Sequence, residues 1–217
     1  MVRAYRYITG QCQETVVNTP TASRSSIPRP ITKARLHNIA IHYLERFSAS
    51  REGVRRVLER RAYKAQRVHG GDPDQIAAWI AEVLDTLQRQ GFLDDARYAD
   101  NAARSLAARG HSVRAVLSRL AAKGVSRDHI DNALVHLAEE IALPGQDAAD
   151  IDPDIAAAVA YARRRRLGPW RDPEVRADFR TKDMGALARR GFSSETVRRV
   201  LGAADPDEAE DLVNEVR

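Results

Sequence analysis

The chain has 217 residues, 43% of them hydrophobic and 30% charged, with a formal net charge of +5, which is typical of a globular chain of one or two domains. Its longest apolar run, residues 155–162, is too short to span a membrane, and no apolar signal core opens the sequence. The single cysteine, Cys12, excludes an internal disulfide framework, so we expect a protein of the reducing cytoplasm.

The positive charge is distributed unevenly along the chain. Residues 1–30 carry a net +3, residues 31–202 carry +7, and residues 203–217 carry −5. A basic body with an acidic tail predicts an acidic partner, such as a nucleic acid or an acidic protein surface.

The pattern of apolar residues predicts an all-α protein. Residues 1–30 are rich in Pro, Ser and Thr and lack a period, which predicts a disordered N-terminal arm. From Ile31 onward, apolar residues recur at helical spacing, and no stretch alternates as a strand would.

Internal repeats predict the architecture. The pattern around Leu120, Gly124 and Ser126 recurs 67 residues later, and its first half also occurs 62 residues earlier. Each copy is interpreted as three helices, and stacked copies would form an elongated, curved rod. The predicted units are repeat 1 at 31–91, repeat 2 at 92–143, a polar linker at 144–153, repeat 3 at 154–202, and an acidic disordered tail at 203–217.

The turn after the second helix of each repeat has a characteristic composition. Gly124 and Gly191 suit the left-handed position that ends a helix, and Ser126 and Ser193 then cap the next one. In repeat 1 the glycine is replaced by Ala62, and the predicted helix 50–63 is followed by an insertion at about 64–72.

No pattern in the sequence supports catalysis. The six histidines form no metal-ligand spacing, and no glycine-rich phosphate loop is present. Asp94 and Asp95 are interpreted as the cap and first turn of a helix rather than as paired catalytic carboxylates. We therefore expect no enzyme activity, no metal and no cofactor.

Basic residues recur near the turn after each second helix. Arg61, Lys123 and Arg190 are equivalent in the repeat alignment, so the rod would present a row of cations to an elongated acidic partner. The alternative is a set of solvated faces whose terminal cations complement the helix dipoles. The candidate partner-binding residues are Arg56, Arg60, Arg61, Arg97, Arg119, Lys123, Arg189, Arg190 and Arg198.

One block of sequence resembles a known family. The segment GFLDDARYA at 91–99 is similar to the signature of the RecX regulators of RecA recombinase, and the GHS motif at 110–112 and the LARRGFS segment at 187–193 match further family motifs. The resemblance extends over about residues 33–201. The residues that carry the family signature are Asp94, Asp95, Arg97, Tyr98, Gly110, Gly124 and Gly191.

The resemblance implies three tandem three-helix repeats and a function. A RecX protein would bind along the groove of the RecA–single-stranded-DNA filament and inhibit ATP hydrolysis, strand exchange and co-protease activity, thereby modulating DNA repair and the SOS response. The expected partners are the RecA filament and single- and double-stranded DNA, with the chain acting as a monomer. The alternative is a sequence-independent DNA-binding helical protein that competes for DNA directly. For the acidic tail, the alternative to disorder is that it folds over the basic row.

Overall fold

The computed structural model describes residues 28–142 and 152–213. Within these ranges the regular structure consists of ten α-helices and one 3₁₀ turn, and no strand occurs. The predicted all-α class is therefore confirmed. In the same ranges, no helix is both long enough and apolar enough to cross a bilayer.

The helices follow one another through short turns. Their bounds are α1 Lys33–Leu44, α2 Arg51–His69, α3 Pro73–Arg89, α4 Asp95–Ala108, α5 Val113–Ala122, α6 Arg127–Ile141, α7 Pro153–Arg165, α8 Arg176–Ala188, α9 Ser194–Gly202 and α10 Pro206–Asp211, with the 3₁₀ turn at Gly168–Trp170.

Most of these helices begin where the sequence supplies a polar cap. Ser50, Ser112 and Ser193 each accept a hydrogen bond from the backbone N–H three residues ahead, which satisfies one of the unpaired donors of the first turn. Asp94 does the same for α4, as predicted. Only α8 among the described helices begins without a side-chain cap, at Val175.

Three hydrophobic clusters follow one another along the chain. The first joins α1, α2 and α3 around Leu58 and Leu87, and the second joins α4, α5 and α6 around Leu120 and Ile130. The third joins α7, α8 and α9 around Leu187. Three helices supply each core, so the fold is a tandem array of three-helix repeats, as expected.

Helix α2 is longer than the sequence pattern predicts. Instead of ending near residue 63, it continues for six further residues to His69, so the insertion after Ala62 is largely helical. Ala62 and Ala65 are buried against the rest of repeat 1, which anchors the start of the extension. Gly70, at φ = 71°, then ends the helix.

The prediction of a disordered tail is wrong for residues 206–211, which form α10. Asp205 caps this helix and Pro206 occupies its first turn, a strong local start signal. Ala209 is fully buried against repeat 3, and Glu210 pairs with Arg163 of α7 at 3.2 Å. The acidic segment therefore packs on repeat 3 and does not cover the basic residues of α2 and α5.

Two other predicted segments fall mainly outside the described residues. These are residues 1–27 of the N-terminal arm and residues 144–151 of the linker. Of the linker, Asp152 and Pro153 are described, and they form the cap and first residue of α7.

Candidate partner-binding face

The second helices of the three repeats meet end to end. The C-terminal end of α8 contacts the start of α5, and the C-terminal end of α5 contacts the start of α2. We call α8, α5 and α2 in this order the second-helix series. The negative end of each helix dipole thus faces the positive end of the next, which is the favourable arrangement.

The junction between repeats 1 and 2 is formed by the cap of α2. The Ser50 hydroxyl, which accepts from Gly53, also donates to the Lys123 carbonyl oxygen at 2.6 Å. The backbone N–H of Arg51 donates to Asp95 Oδ1 at 2.7 Å. One serine and one aspartate therefore satisfy polar groups at two helix ends that belong to different repeats.

The junction between repeats 2 and 3 repeats this arrangement. The Ser112 backbone N–H donates to the Arg190 carbonyl oxygen at 3.1 Å, and the Val113 N–H donates to Asp154 Oδ1 at 2.6 Å. Ser112 corresponds to Ser50, and Asp154 at the start of α7 corresponds to Asp95 at the start of α4. Equivalent positions therefore hold both pairs of neighbouring repeats, although Ser50 donates from its hydroxyl and Ser112 from its backbone N–H.

The turn glycines lie inside these junctions. A Cβ atom on Gly124 would clash with the Glu52 side chain, and a Cβ atom on Gly191 would lie 2.5 Å from Ser112 Oγ. Both glycines also have positive φ, as the sequence predicts for a helix-ending turn. Each glycine therefore has two roles. It ends its own helix, and its lack of a side chain lets the neighbouring repeat approach closely.

A cationic groove crosses the first junction. It has a volume of about 380 Å³ and is lined by Arg56, Arg60 and Lys123, three of the candidate residues, together with Tyr43. Arg56 also donates to the Ala122 carbonyl oxygen at 3.0 Å, which ties α2 to the end of α5. The structure therefore brings together cations that are 63 or more residues apart in sequence.

Two carboxylates near this groove are already paired with arginines. Glu59, which lines the groove, is engaged by Arg55, and Glu52 lies on the same helix. Glu52 accepts hydrogen bonds from Arg55 at 2.6 and 2.7 Å and from Arg56 at 2.8 Å. The hydrogen bonds from Arg55, followed by those from Arg56, lower the pKa of Glu52 although partial burial opposes them. The carboxylate therefore stays ionised and balances part of the arginine charge, while Arg60 and Lys123 face solvent.

A second group of cations surrounds His111 at the other junction. His111 is only 6% exposed, and its Nε2 lies 3.1 Å from Arg190 Nη1, so Nε2 must act as the acceptor and the ring is neutral. Burial, and then the positive charges of Arg119, Arg190 and Arg109, lower the pKa of His111. Arg190 also lies 4.8 Å above the centre of the Tyr161 ring.

The lowered pKa of His111 predicts a pH-dependent stability. Because the folded state disfavours the proton that the unfolded chain binds near pH 6.5, the full contribution is present above pH 6.5 and is lost as pH falls below it. Urea unfolding at pH 7.5 and pH 5 should therefore show a larger loss for the wild type than for His111→Gln. Equal losses would mean that this imidazole does not set the pH dependence.

The other candidate residues lie at different places in the fold. Arg61, Arg189 and Arg198 are exposed, and Arg198 Nε donates to the Ser194 carbonyl oxygen of its own helix. Arg97 lines a separate depression of about 240 Å³ beside the exposed rings of Phe47 and Phe92. These four arginines do not line the groove of Arg56, Arg60 and Lys123.

The structure gives other signature residues structural roles. Asp95 and Gly124 hold the first junction, while Gly191 holds the second. Gly110, at φ = 75°, lies against Tyr161 of repeat 3. Tyr98 is half-buried against the core of repeat 2, and burial raises its pKa.

Sequence reasoning missed the junction role of Asp95, Asp154, Ser50 and Ser112. A signal was present, because an aspartate opens the first helix of repeats 2 and 3, whereas α1 begins with Lys33 and Ala34. Repeat 1 has no preceding second helix to hold, so it needs no such acceptor. No group of three potential metal ligands occurs within the residues that the structure describes.

Fold and site together define the class: a tandem three-helix repeat protein whose second helices meet end to end, with a cationic groove at the first junction. Residues 94–134 match the family model described as "RecX, second three-helix domain". The chain is 35% identical over 175 residues to Regulatory protein RecX of Myxococcus xanthus, covering 80% of this chain and 88% of that protein. Regulatory protein RecX of Agrobacterium fabrum is 29% identical over 178 residues, covering 82% and 87%.

A solved structure supports the same fold. The crystal structure of RecX from Lactobacillus salivarius matches with a TM-score of 0.53 at 16% identity, over 79% of this chain and 96% of the other. Taken with the sequence relatives, these findings show that the chain belongs to the RecX family of regulatory proteins.

Proposed function

We propose that this protein is a non-enzymatic negative regulator of RecA recombinase, which binds as a monomer in the groove of the RecA–single-stranded-DNA filament. The observation that carries the proposal is its membership of a family whose curated relatives are named regulatory proteins. Binding there would inhibit ATP hydrolysis, strand exchange and co-protease activity, and would thereby modulate DNA repair and the SOS response.

The second-helix series supports this proposal physically. Arg119 of α5 and Lys123, the residue that caps the end of α5, lie four residues apart, and Lys123 meets Arg56 and Arg60 of α2 in one groove. A surface of this kind suits a partner with acidic groups along its length, as a filament groove lined by acidic loops or DNA phosphates would offer. We propose the same binding role for Arg61, Arg97, Arg189, Arg190 and Arg198.

Charge reversal on α5 tests the proposal. Arg119→Glu combined with Lys123→Glu should weaken inhibition of the ATPase of pre-formed RecA filaments by about tenfold, since two attractive contacts become repulsive. Both side chains are exposed, so the fold should be retained. The control is Arg89→Glu, which reverses an exposed arginine at the end of α3, outside the second-helix series. A folded double variant that inhibits like the wild type would contradict a role for this face.

Adding excess free DNA to the ATPase assay distinguishes filament binding from competition for DNA, and varying the amount of protein distinguishes end-capping from groove binding. If excess free DNA abolishes inhibition by the wild type, direct competition for DNA explains the activity and the proposal fails. If inhibition persists, the amount of protein required gives the binding mode. Strong inhibition at sub-stoichiometric ratios indicates capping of filament ends, and proportional inhibition indicates binding along the groove.

A further inference from the structure

A groove lies beside the C-terminal extension of α2, where no neighbouring repeat of the described chain covers the helix. The turns that follow α5 and α8 are covered by the start of the next helix in the series. Helix α2 instead continues past the equivalent position to His69. Beside this extension lies a groove of about 650 Å³, whose lining residues are Pro28, Glu59, Arg60, Tyr63, Lys64, Arg67 and Val68.

The groove combines an exposed ring with a rim of cations. Tyr63 is 62% exposed, the highest value among the large apolar and aromatic residues of the described chain that face solvent. Arg60, Tyr63 and Arg67 follow the spacing i, i+3 and i+7, which places them on one face of α2. Arg60 and Arg67 are therefore about 10 Å apart along the helix axis.

The charge of this groove is almost entirely positive. Glu59, the one carboxylate among its lining residues, is engaged by Arg55 Nη1. Arg60, Lys64 and Arg67 are exposed, so their charges face solvent around the tyrosine. An aromatic ring flanked by cations on a groove rim is the arrangement that holds unpaired bases and the phosphates between them.

We infer that this groove binds single-stranded nucleic acid, with a base stacked on Tyr63 and phosphates held by Arg60, Lys64 and Arg67. An acidic peptide fits less well, because it would have to place carboxylates at the spacing of the cations, whereas a nucleic-acid strand carries a phosphate at every residue. The stacking surface is tolerant of sequence, since every base has a flat face. Binding here needs no recombinase, so the inference stands independently of the proposed function.

Substitutions of Tyr63 test the stacking contact. Fluorescence anisotropy of a labelled 20-residue oligo-dT, with the full chain and no recombinase, should show about tenfold weaker binding for Tyr63→Ala and near wild-type binding for Tyr63→Phe. A duplex of the same length should bind both variants equally, because its bases are already stacked. The control is Val135→Ala, which trims a 55% exposed side chain on α6.

Substitutions of the cations test the phosphate contacts. Lys64→Ala with Arg67→Ala should reduce the slope of log affinity against log salt by about 1.4 on the single strand, at about 0.7 per phosphate. Arg127→Ala should leave the slope unchanged. Unfolding in urea should be the same for all variants, since the altered side chains are exposed.

Two results would overturn the inference. One is equal loss of binding by Tyr63→Ala and Tyr63→Phe, which would exclude stacking. The other is binding of poly-glutamate as tight as that of oligo-dT and equally dependent on Tyr63, which would identify an acidic protein segment as the ligand. Failure of the proposed function would appear in the other assay, as ATPase inhibition by the folded α5 double variant that equals that of the wild type, and it would leave oligo-dT binding in this groove unchanged.

Discussion

Replacing Gly110 with alanine is expected to lower the free energy of unfolding by about 3 kcal/mol or more, from a left-handed backbone position combined with a steric clash. Gly110 has φ = 75°, and a Cβ atom there would lie 2.5 Å from Tyr161 Cβ and 2.8 Å from its Cγ. Tyr161 is 7% exposed and belongs to the core of repeat 3, so it has little room to move. Urea unfolding monitored by circular dichroism measures the loss.

Gly91→Ala is the matched control. Gly91 has nearly the same backbone conformation, φ = 76°, but a Cβ atom there would meet nothing within 4 Å. The expected cost is therefore only that of the backbone, about 1 kcal/mol. The difference between the two variants measures the contact between repeats 2 and 3. Equal losses would show that the repeats can separate enough to accommodate the methyl group at no cost.

Asp183→Ala is expected to cost about 3 kcal/mol, because it removes the buried partner of Arg171 and also the acceptor of a buried backbone N–H. Asp183 is 1% exposed; it accepts from Arg171 Nη2 at 2.8 Å and from Arg171 Nε at 3.1 Å. It also accepts from the Gly168 backbone N–H at 3.0 Å, at the 3₁₀ turn. The hydrogen bonds that Arg171 donates to Asp183 raise the pKa of Arg171. Since an arginine is protonated at neutral pH even without a partner, Asp183→Ala leaves its charge unpaired.

Two comparisons isolate this effect. Asp131→Ala removes a carboxylate from an exposed pair with Arg127 and should change stability by less than about 1 kcal/mol. Asp183→Asn keeps an oxygen for the Gly168 N–H and should cost less than Asp183→Ala. Hydrogen exchange should localise the Asp183→Ala loss to α8 and the turn at 168–170. A loss no greater than that of Asp131→Ala would disprove the structural role of the buried pair.

Some candidate arginines are unsuitable for testing partner binding by mutation, because they also take part in the junctions between repeats. Arg190 contacts His111 and the Tyr161 ring, and Arg56 holds the end of α5, so changing either side chain also alters repeat packing. Reduced inhibition by such a variant would report stability and binding together. Arg119 and Lys123 are better probes, because their side chains face solvent and only the Lys123 backbone takes part in a junction.

Local signals in the sequence correctly predict the helices and their repetition. Ser112, Ser126 and Ser193 cap helices, Gly124 and Gly191 end them, and the apolar period identifies their buried faces. These features act over three or four residues of backbone, so they can be recognised without knowledge of the fold. The same local rule also explains an error, since Asp205 and Pro206 start a helix where the acidic composition predicts disorder.

The surroundings of the basic residues could not be predicted from local sequence signals. Arg61, Lys123 and Arg190 are equivalent in the repeat alignment, yet one is free on α2, one faces a groove, and one is half-buried at a junction. Their environments differ because repeat 1 has no neighbour beyond α2, whereas repeats 2 and 3 each receive the start of another helix. Equivalence in sequence therefore does not give equivalence in exposure at the ends of an array.

By itself, the sequence determined the all-α class, the tandem repeats and the family, because capping, helical period and signature motifs are contained in short stretches of chain. Only the tertiary structure decided that α8, α5 and α2 meet end to end, that Asp95 and Asp154 hold the junctions, and that Asp183 is buried with Arg171. Those junction contacts join residues more than 40 positions apart, and their geometry depends on how whole repeats pack. The net charge of +5 alone does not say which cations can bind a partner. The packing of the repeats decides this, because it places some cations in contacts within the protein and leaves others exposed.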